Sequence, residues 1–307
     1  MKNPRVLTEG ALMLAIFTVL LLLALYVPLI GTLAFFVLPL PLILFSSKYS
    51  LLNSIYVLIG SLGLSFLFGG LIALPVAFMV ATTGVVIGWC VKAKVDKMRL
   101  FMASSLTLVI NIVIGFVFSI LLFNVNIIED SLAESKAAYY SLLEKLGQEP
   151  DKRLVESLEN SIDLIQTLMP TLFVGIAVVM ALLFMLINFP IMKRLGRDVP
   201  VFKPFREWKL PKSILWYYLL TLVLSMILQP EKGTYAYTAL LNVLYVLQTL
   251  MAVQGLSFLY FFAHIKGWSK GILVLITIIS IPLLYLVRIL GIIDLGFDLR
   301  QRLQRKS

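Results

Sequence analysis

Charge is scarce in this chain: only 14% of its residues are Asp, Glu, Lys or Arg, against about a quarter in soluble domains. That scarcity excludes soluble enzymes, disordered segments and nucleic-acid binders. There is one cysteine, Cys90, so no disulfide can form within the chain. The single histidine, His264, and the lone cysteine cannot make a zinc site of the usual kind, and no H-E-x-x-H run occurs. A Walker A loop is missing, as is a G-x-S-x-G elbow with a plausible His partner. No cofactor is expected, and an intramembrane enzyme is disfavoured for want of a catalytic constellation. A repeated arginine spacing and a buried chain of carboxylates are also lacking, which argues against voltage sensing and proton-coupled carriage.

What is abundant is apolar residue. The 307 residues are 60% hydrophobic, with a mean hydropathy of +0.99. Nine segments approach the ~20 apolar residues that a spanning helix needs: 7–27, 30–46, 50–68, 70–91, 100–124, 168–192, 213–229, 235–263 and 271–293. Their unbroken apolar character excludes a membrane barrel. The first has no small-residue cleavage site after Tyr26 and reads as a retained helix. The expected fold is an all-helical polytopic membrane protein with eight or nine transmembrane helices in the lipid bilayer.

Charge distribution sets the orientation. The stretch from Glu129 to Asp163 holds nine acidic and four basic residues, so it carries −5 and the rest of the chain +15. Lys2, Arg5, Lys48, the Lys92–Arg99 cluster and the bases between Lys193 and Lys212 fall in alternate connections. By the positive-inside rule the N-terminus is cytoplasmic in the cell membrane and the acidic stretch external. The basic tail, with Arg300, Arg302, Arg305 and Lys306, breaks this alternation. One late segment is therefore re-entrant, interfacial or a double crossing, and Pro282 and Arg288 mark 271–293 as one candidate, short 213–229 being the other.

Three parts are expected: a membrane domain over 1–125 with five spans, an external acidic hairpin over 126–167, and a C-terminal membrane domain over 168–307. In the hairpin, Ser131 and Glu134 form a capping-box pattern, and Leu132, Tyr139, Leu143 and Leu146 follow at helical spacing. Gly147 to Pro150 breaks that helix, Asp151 can cap a second, and Leu154, Leu158, Ile162 and Ile165 stripe it.

Polar residues inside the spans are mostly uncharged. Asn111, Gln248 and Gln254 lie deepest and are candidates for lining a solute cavity, although such residues most often bond to a neighbouring helix. Glu9 and Arg288 sit near segment ends, where snorkelling accounts for them. Asp294 and Asp298 alternate with Arg300 and Arg302 and can pair with them. Arg206, Trp208 and Lys209, in the run Phe205–Pro211, read as an aromatic-basic interfacial anchor, with docking to a partner or anionic lipid as the sharper option.

Small residues complete the picture. Ala11 and Ala15 stand four apart on the first helix and leave a groove for another helix. Gly60, Gly63, Gly69, Gly70, Gly84 and Gly88 enrich segments three and four in glycine, and Pro28, Pro39, Pro41 and Pro75 punctuate the same region. In the Ala11 and Ala15 pattern and the short Pro- and Gly-rich stretches Val37–Pro41 and Ser61–Pro75, residues 1–125 resemble the substrate-binding S components of energy-coupling-factor transporters. The resemblance implies a non-catalytic component that binds a small solute. It implies docking through Ala11 and Ala15 on a transmembrane coupling subunit driven by paired ATPases. The whole chain, with its acidic insert and its Phe205–Pro211 run, more closely resembles the YybS-like membrane proteins of Gram-positive bacteria. The alternative function is a membrane scaffold or regulatory protein acting through the external hairpin and the basic cytoplasmic loop.

Overall fold

The computed structural model describes residues 4–123, 127–145, 152–200 and 203–304. Its regular elements are all helical, with no strand among the described residues. The chain forms two compact units, Met1–Glu159 with Leu172–Val201 and Asn160–Thr171 with Phe202–Ser307.

In the first unit, α1 (Pro4–Tyr26) is followed by α2 (Ile30–Val37) and α3 (Leu40–Ser46). Pro39 and Pro41 separate the last two, since proline removes a helical donor. The pair nevertheless returns along α1. Gly31 sits so close that an added Cβ would fall 2.8 Å from the Ala24 carbonyl, and Lys48 Nζ meets Glu9 at 2.5 Å near the other end of α1. Glu9 is therefore paired with Lys48 rather than simply snorkelling.

Helix α4 (Leu51–Lys92) has 42 residues. If straight it would measure about 63 Å, twice the hydrocarbon thickness of ~30 Å. It is not straight. Gly70 adopts φ 65° and ψ −163°, a conformation open essentially to glycine alone, and the helix reverses there. Contacts show the reversal: Leu14 touches Gly60, and the Tyr26 hydroxyl donates to the Phe68 carbonyl at 2.8 Å, so residues 51–69 run parallel to α1. Gly84 then faces Pro39 and Leu42, Gly88 faces Ser46, and Lys92 Nζ donates to the Tyr49 carbonyl at 2.6 Å. The two ends of α4 thus meet, and the runs 51–69 and 71–92 are antiparallel, matching the two segments expected there.

Helix α5 (Lys97–Phe123) packs on the second run of α4 through Asn111, whose amide donates to Thr82 Oγ1 at 2.9 Å. Then come α6 (Ile127–Lys145) and α7 (Lys152–Thr167), joined by the ion pair Lys136–Glu159 at 2.7 Å, so the two helices expected in the insert are present. The expected break at Gly147–Pro150 and the Asp151 cap lie outside the described residues, as do the side chains of Ser131, Leu132, Leu146, Leu154 and Leu158.

Helix α8 (Met169–Arg194) belongs mostly with the N-terminal helices, unlike the expected division at 168. Its small Ala177 and Ala181 are fully buried, Phe184 packs on Phe35 and Phe36, and the Asn188 amide donates to the Phe36 carbonyl at 2.9 Å. Such contacts pull a helix toward its packing partner whatever its distance along the chain.

The second unit holds α9 (Ser213–Leu228), α10 (Tyr235–Ile265), α11 (Lys270–Ser280), α12 (Leu284–Phe297) and α13 (Leu299–Gln304). Tyr218 of α9, Leu247 and Met251 of α10 and Leu295 of α12 form its core. Near the start of α10, the Asn242 side chain accepts from the Thr171 N–H at 3.0 Å and donates to the Thr167 carbonyl at 2.7 Å.

Among the described residues, five helices are long and apolar enough to cross a membrane, or up to six when α11 and α12 count as one span. The expected eight or nine differs for identifiable reasons. Segments 50–68 and 70–91 are continuous through Gly70, 30–46 and 213–228 are short, and α11 and α12 meet at 109° beside Pro282. Gly70→Ala should lower stability by about 1–3 kcal/mol, because alanine is strained at that backbone. Gly63→Ala, where nothing lies within 4 Å of an added Cβ, should leave stability unchanged or raise it by up to about 1 kcal/mol. Thermal unfolding of both variants in detergent checks this.

Candidate functional site

An ionisable residue buried in a membrane unit is costly, and its partners are where function is sought first. The second unit has such a group. Glycines bring its helices together: a Cβ on Gly255 would fall 1.9 Å from the Val287 carbonyl oxygen, and one on Gly291 2.0 Å from that of Met251. Helices α10 and α12 therefore cross with backbones in contact. This crossing sets Gln254 beside Asp294, whose carboxylate is fully buried.

One oxygen of Asp294 accepts from two directions. Gln254 Nε2 donates to its Oδ2 at 2.5 Å, and Arg300 Nε donates to the same oxygen at 2.9 Å. Arg300 reaches back six residues because the chain reverses at Asp298, which adopts the left-handed conformation at φ 50°. Aspartate tolerates that region better than most residues. Asp294 Oδ1 has no hydrogen-bond partner among the described residues.

The rest of the network grips the segment before α9. Arg300 Nη1 donates to the Arg206 carbonyl at 2.9 Å and Nη2 to Ser257 Oγ at 3.1 Å. The Ser257 hydroxyl lies 2.8 Å from the Phe205 carbonyl and 2.7 Å from that of Trp208, either of which can accept its proton. Gln254 Oε1 accepts from the Leu210 N–H at 2.9 Å. Outside this core, Asp298 accepts from Lys209 Nζ at 2.5 Å and from Lys212. Those two ammonium groups hold the Asp298 carboxyl down at a pKa of about 2. A lowered folded-state pKa contributes stability above the ordinary carboxylate value and loses it only as pH falls toward 2, so this tie is intact at neutral pH.

The geometry is that of a clamp. It contains no activated nucleophile, and no group of three or more His, Cys, Asp or Glu side chains could hold a metal ion among the described residues. What it does is fasten residues 205–212 and the start of α13 to the crossing of α10 and α12.

Gln254 is part of this network, bonded to Asp294 and Leu210. Gln248, half-buried, lies six residues earlier on α10 and so points about 120° away from it. Asn111 belongs to the other unit, where it bonds to Thr82 and to the Thr107 carbonyl at 2.7 Å. Ala11 and Ala15 are both exposed on α1, beside exposed Leu12 and Ile16. Trp208 donates its Nε1–H to the Lys203 carbonyl at 3.0 Å and stacks edge-on against Phe205, Arg206 lends its carbonyl to Arg300, and Lys209 pairs with Asp298. Of the acid–base pairs expected at the C-terminus, Asp294–Arg300 forms. Asp298 turns instead to Lys209 and Lys212, because the left-handed turn directs it toward the segment before α9. Sequence reasoning missed Ser257 altogether. The available signal was Gly255 and Gly291, whose neighbours had to lie at a close crossing.

Architecture and composition together make this a helical integral membrane protein. The chain belongs to the family described as "Predicted membrane protein (DUF2232)", which matches residues 15–295. It is also 33% identical over 312 residues to the Bacillus subtilis (strain 168) protein named "Uncharacterized protein YybS", covering 99% of this chain and all of that one. No solved structure matches it.

Removing one partner of a buried ion pair typically costs about 3–5 kcal/mol, whereas replacing both with apolar groups costs far less. Asp294→Asn should therefore lower the melting temperature and speed tryptic cleavage at Lys209 and Lys212. Asp294→Leu combined with Arg300→Met should recover most of the lost stability. Equal loss in the single and double variants would show that packing, not charge, holds the clamp.

Proposed function

We propose that this protein is a non-catalytic component of a membrane transport assembly, comparable in role to an energy-coupling S component. The observation that carries the reading is the placement of Ala11 and Ala15. Both are exposed on the outward face of α1, so the small-residue groove is not consumed by packing inside the chain. A helix of a transmembrane coupling subunit can approach closely there. Paired ATPases bound to that subunit would supply the energy that this chain, lacking a Walker A loop, cannot.

The solute would be small and hydrogen-bonding. Asn111 and Asn188 each donate within the first unit yet leave a buried Oδ1 with no partner among the described residues. Such oxygens suit a ligand that brings its own N–H or O–H donors. With a cytoplasmic N-terminus, the reading takes eight crossings, α4 providing two, with α11 and α12 forming a bent pair that enters and leaves on one side.

A second reading, a scaffold or regulatory membrane protein, draws on the α6–α7 hairpin tied by Lys136–Glu159 and on the clamped basic segment 203–212. Association distinguishes the two. Ala11→Leu with Ala15→Leu should reduce recovery of a coupling subunit and its ATPases from native membranes by about tenfold or more, since overpacking costs ~1–3 kcal/mol per site. The melting temperature should be unchanged. Undiminished recovery of the same partners would overturn the docking mechanism and favour the second reading.

A further inference from the structure

Behind the clamp, α10, α12 and α13 enclose a groove of about 620 Å³. Phe258, Phe262, Leu290, Leu299 and Leu303 make its walls, and Arg302 is its charged member. Its volume lies within the ~300–1,000 Å³ usual for small-ligand sites. The lining contains no acidic residue.

The charges at the groove favour one kind of occupant. Arg300 cannot serve a ligand, because its guanidinium is already committed to Asp294, Ser257 and the Arg206 carbonyl. Arg302, two residues on, is exposed and makes no ion pair among the described residues. Lys266 stands 5.9 Å from the ring of Phe262, on the groove wall, and is also exposed. An apolar trough lined by Arg302, with the Lys266 ammonium over the ring of its wall residue Phe262, matches a molecule with an acyl chain and an anionic head. A second copy of the chain or an apolar peptide would fill the trough but leave both cations unanswered. In a membrane protein the anionic amphiphile at hand is lipid.

We propose that this groove binds an anionic phospholipid, one acyl chain lying along Phe258, Phe262 and Leu290 and the phosphate held by Arg302 and Lys266. Binding there would brace α13 against α10 and so reinforce the seat of Arg300 in the clamp.

The test uses the full chain, purified in mild detergent with equimolar phosphatidylglycerol and phosphatidylcholine, and counts retained lipids by native mass spectrometry. The wild type should hold phosphatidylglycerol about tenfold more than phosphatidylcholine, as two cations near an anionic headgroup imply. Arg302→Gln with Lys266→Gln should abolish that preference while leaving the melting temperature in detergent alone unchanged. Leu303→Trp, which fills the trough and keeps both cations, should lower retention of phosphatidylglycerol to the level of a non-specific lipid. Equal retention of the two lipids by the wild type would overturn the proposal. So would undiminished phosphatidylglycerol on the filled-groove variant, or a dimer in the wild type that the same variant dissociates.

Discussion

The buried carboxylate of Asp294 governs the second unit. A charge removed from water must find a counter-charge and hydrogen bonds, and in a chain solvated by lipid these can come only from the chain itself. Arg300 and Gln254 supply them. To deliver Arg300 the chain must reverse at Asp298, and to deliver Gln254 the helices α10 and α12 must cross at Gly255 and Gly291. The remaining donors of Arg300 then fix the carbonyl of Arg206, so the loop before α9 is ordered by the same charge. One side chain thus dictates a turn, a helix crossing and the path of a loop.

The first unit is built on a different economy. Its helices hold few charges inside and rely on close approach. Gly84 and Gly88 admit α3, Gly60 admits Leu14, and the buried alanines of α8 let that helix join from far along the chain. Where apolar side chains gain nothing over lipid by associating, packing and interhelical hydrogen bonds such as Asn188 to Phe36 must supply the attraction. Gly70 completes this design, since a reversal within one continuous helix needs a backbone that only glycine tolerates. The contrast is one of means: close backbone approach holds the first unit, and a buried charge network holds the second.

Hydropathy and charge revealed the class of fold and most of the helices, because the apolar runs are long and the breaks carry Lys, Arg, Pro or Gly. The reversal of α4 was legible as two segments meeting near Gly70, although nothing in periodicity distinguishes a loop from a glycine turn inside one helix. The pairing of Asp294 with Arg300 followed from their proximity in sequence. The pairing of Asp298 with Lys209 did not, since 89 residues separate them and only the tertiary turn joins them. Ser257 was invisible because a serine in an apolar helix commonly bonds its own backbone, as Ser104 and Ser280 do here. Its use as a link between Arg300 and the 205–208 carbonyls depends on helix crossing, a property of pairs of segments and not of either one.

The clamp makes a statement about topology that composition alone left open. If Asp298 is tied to Lys209 and Lys212, the start of α13 lies on the same face of the membrane as residues 203–212, and α11 with α12 does not carry it across. Single cysteines placed by Lys203→Cys and by Gln301→Cys, each in a Cys90→Ser background, can be labelled in intact cells with a membrane-impermeant maleimide. Both positions should show the same accessibility, with labelling of both only after the membrane is opened if that face is cytoplasmic. Labelling of one and protection of the other in intact cells would contradict it.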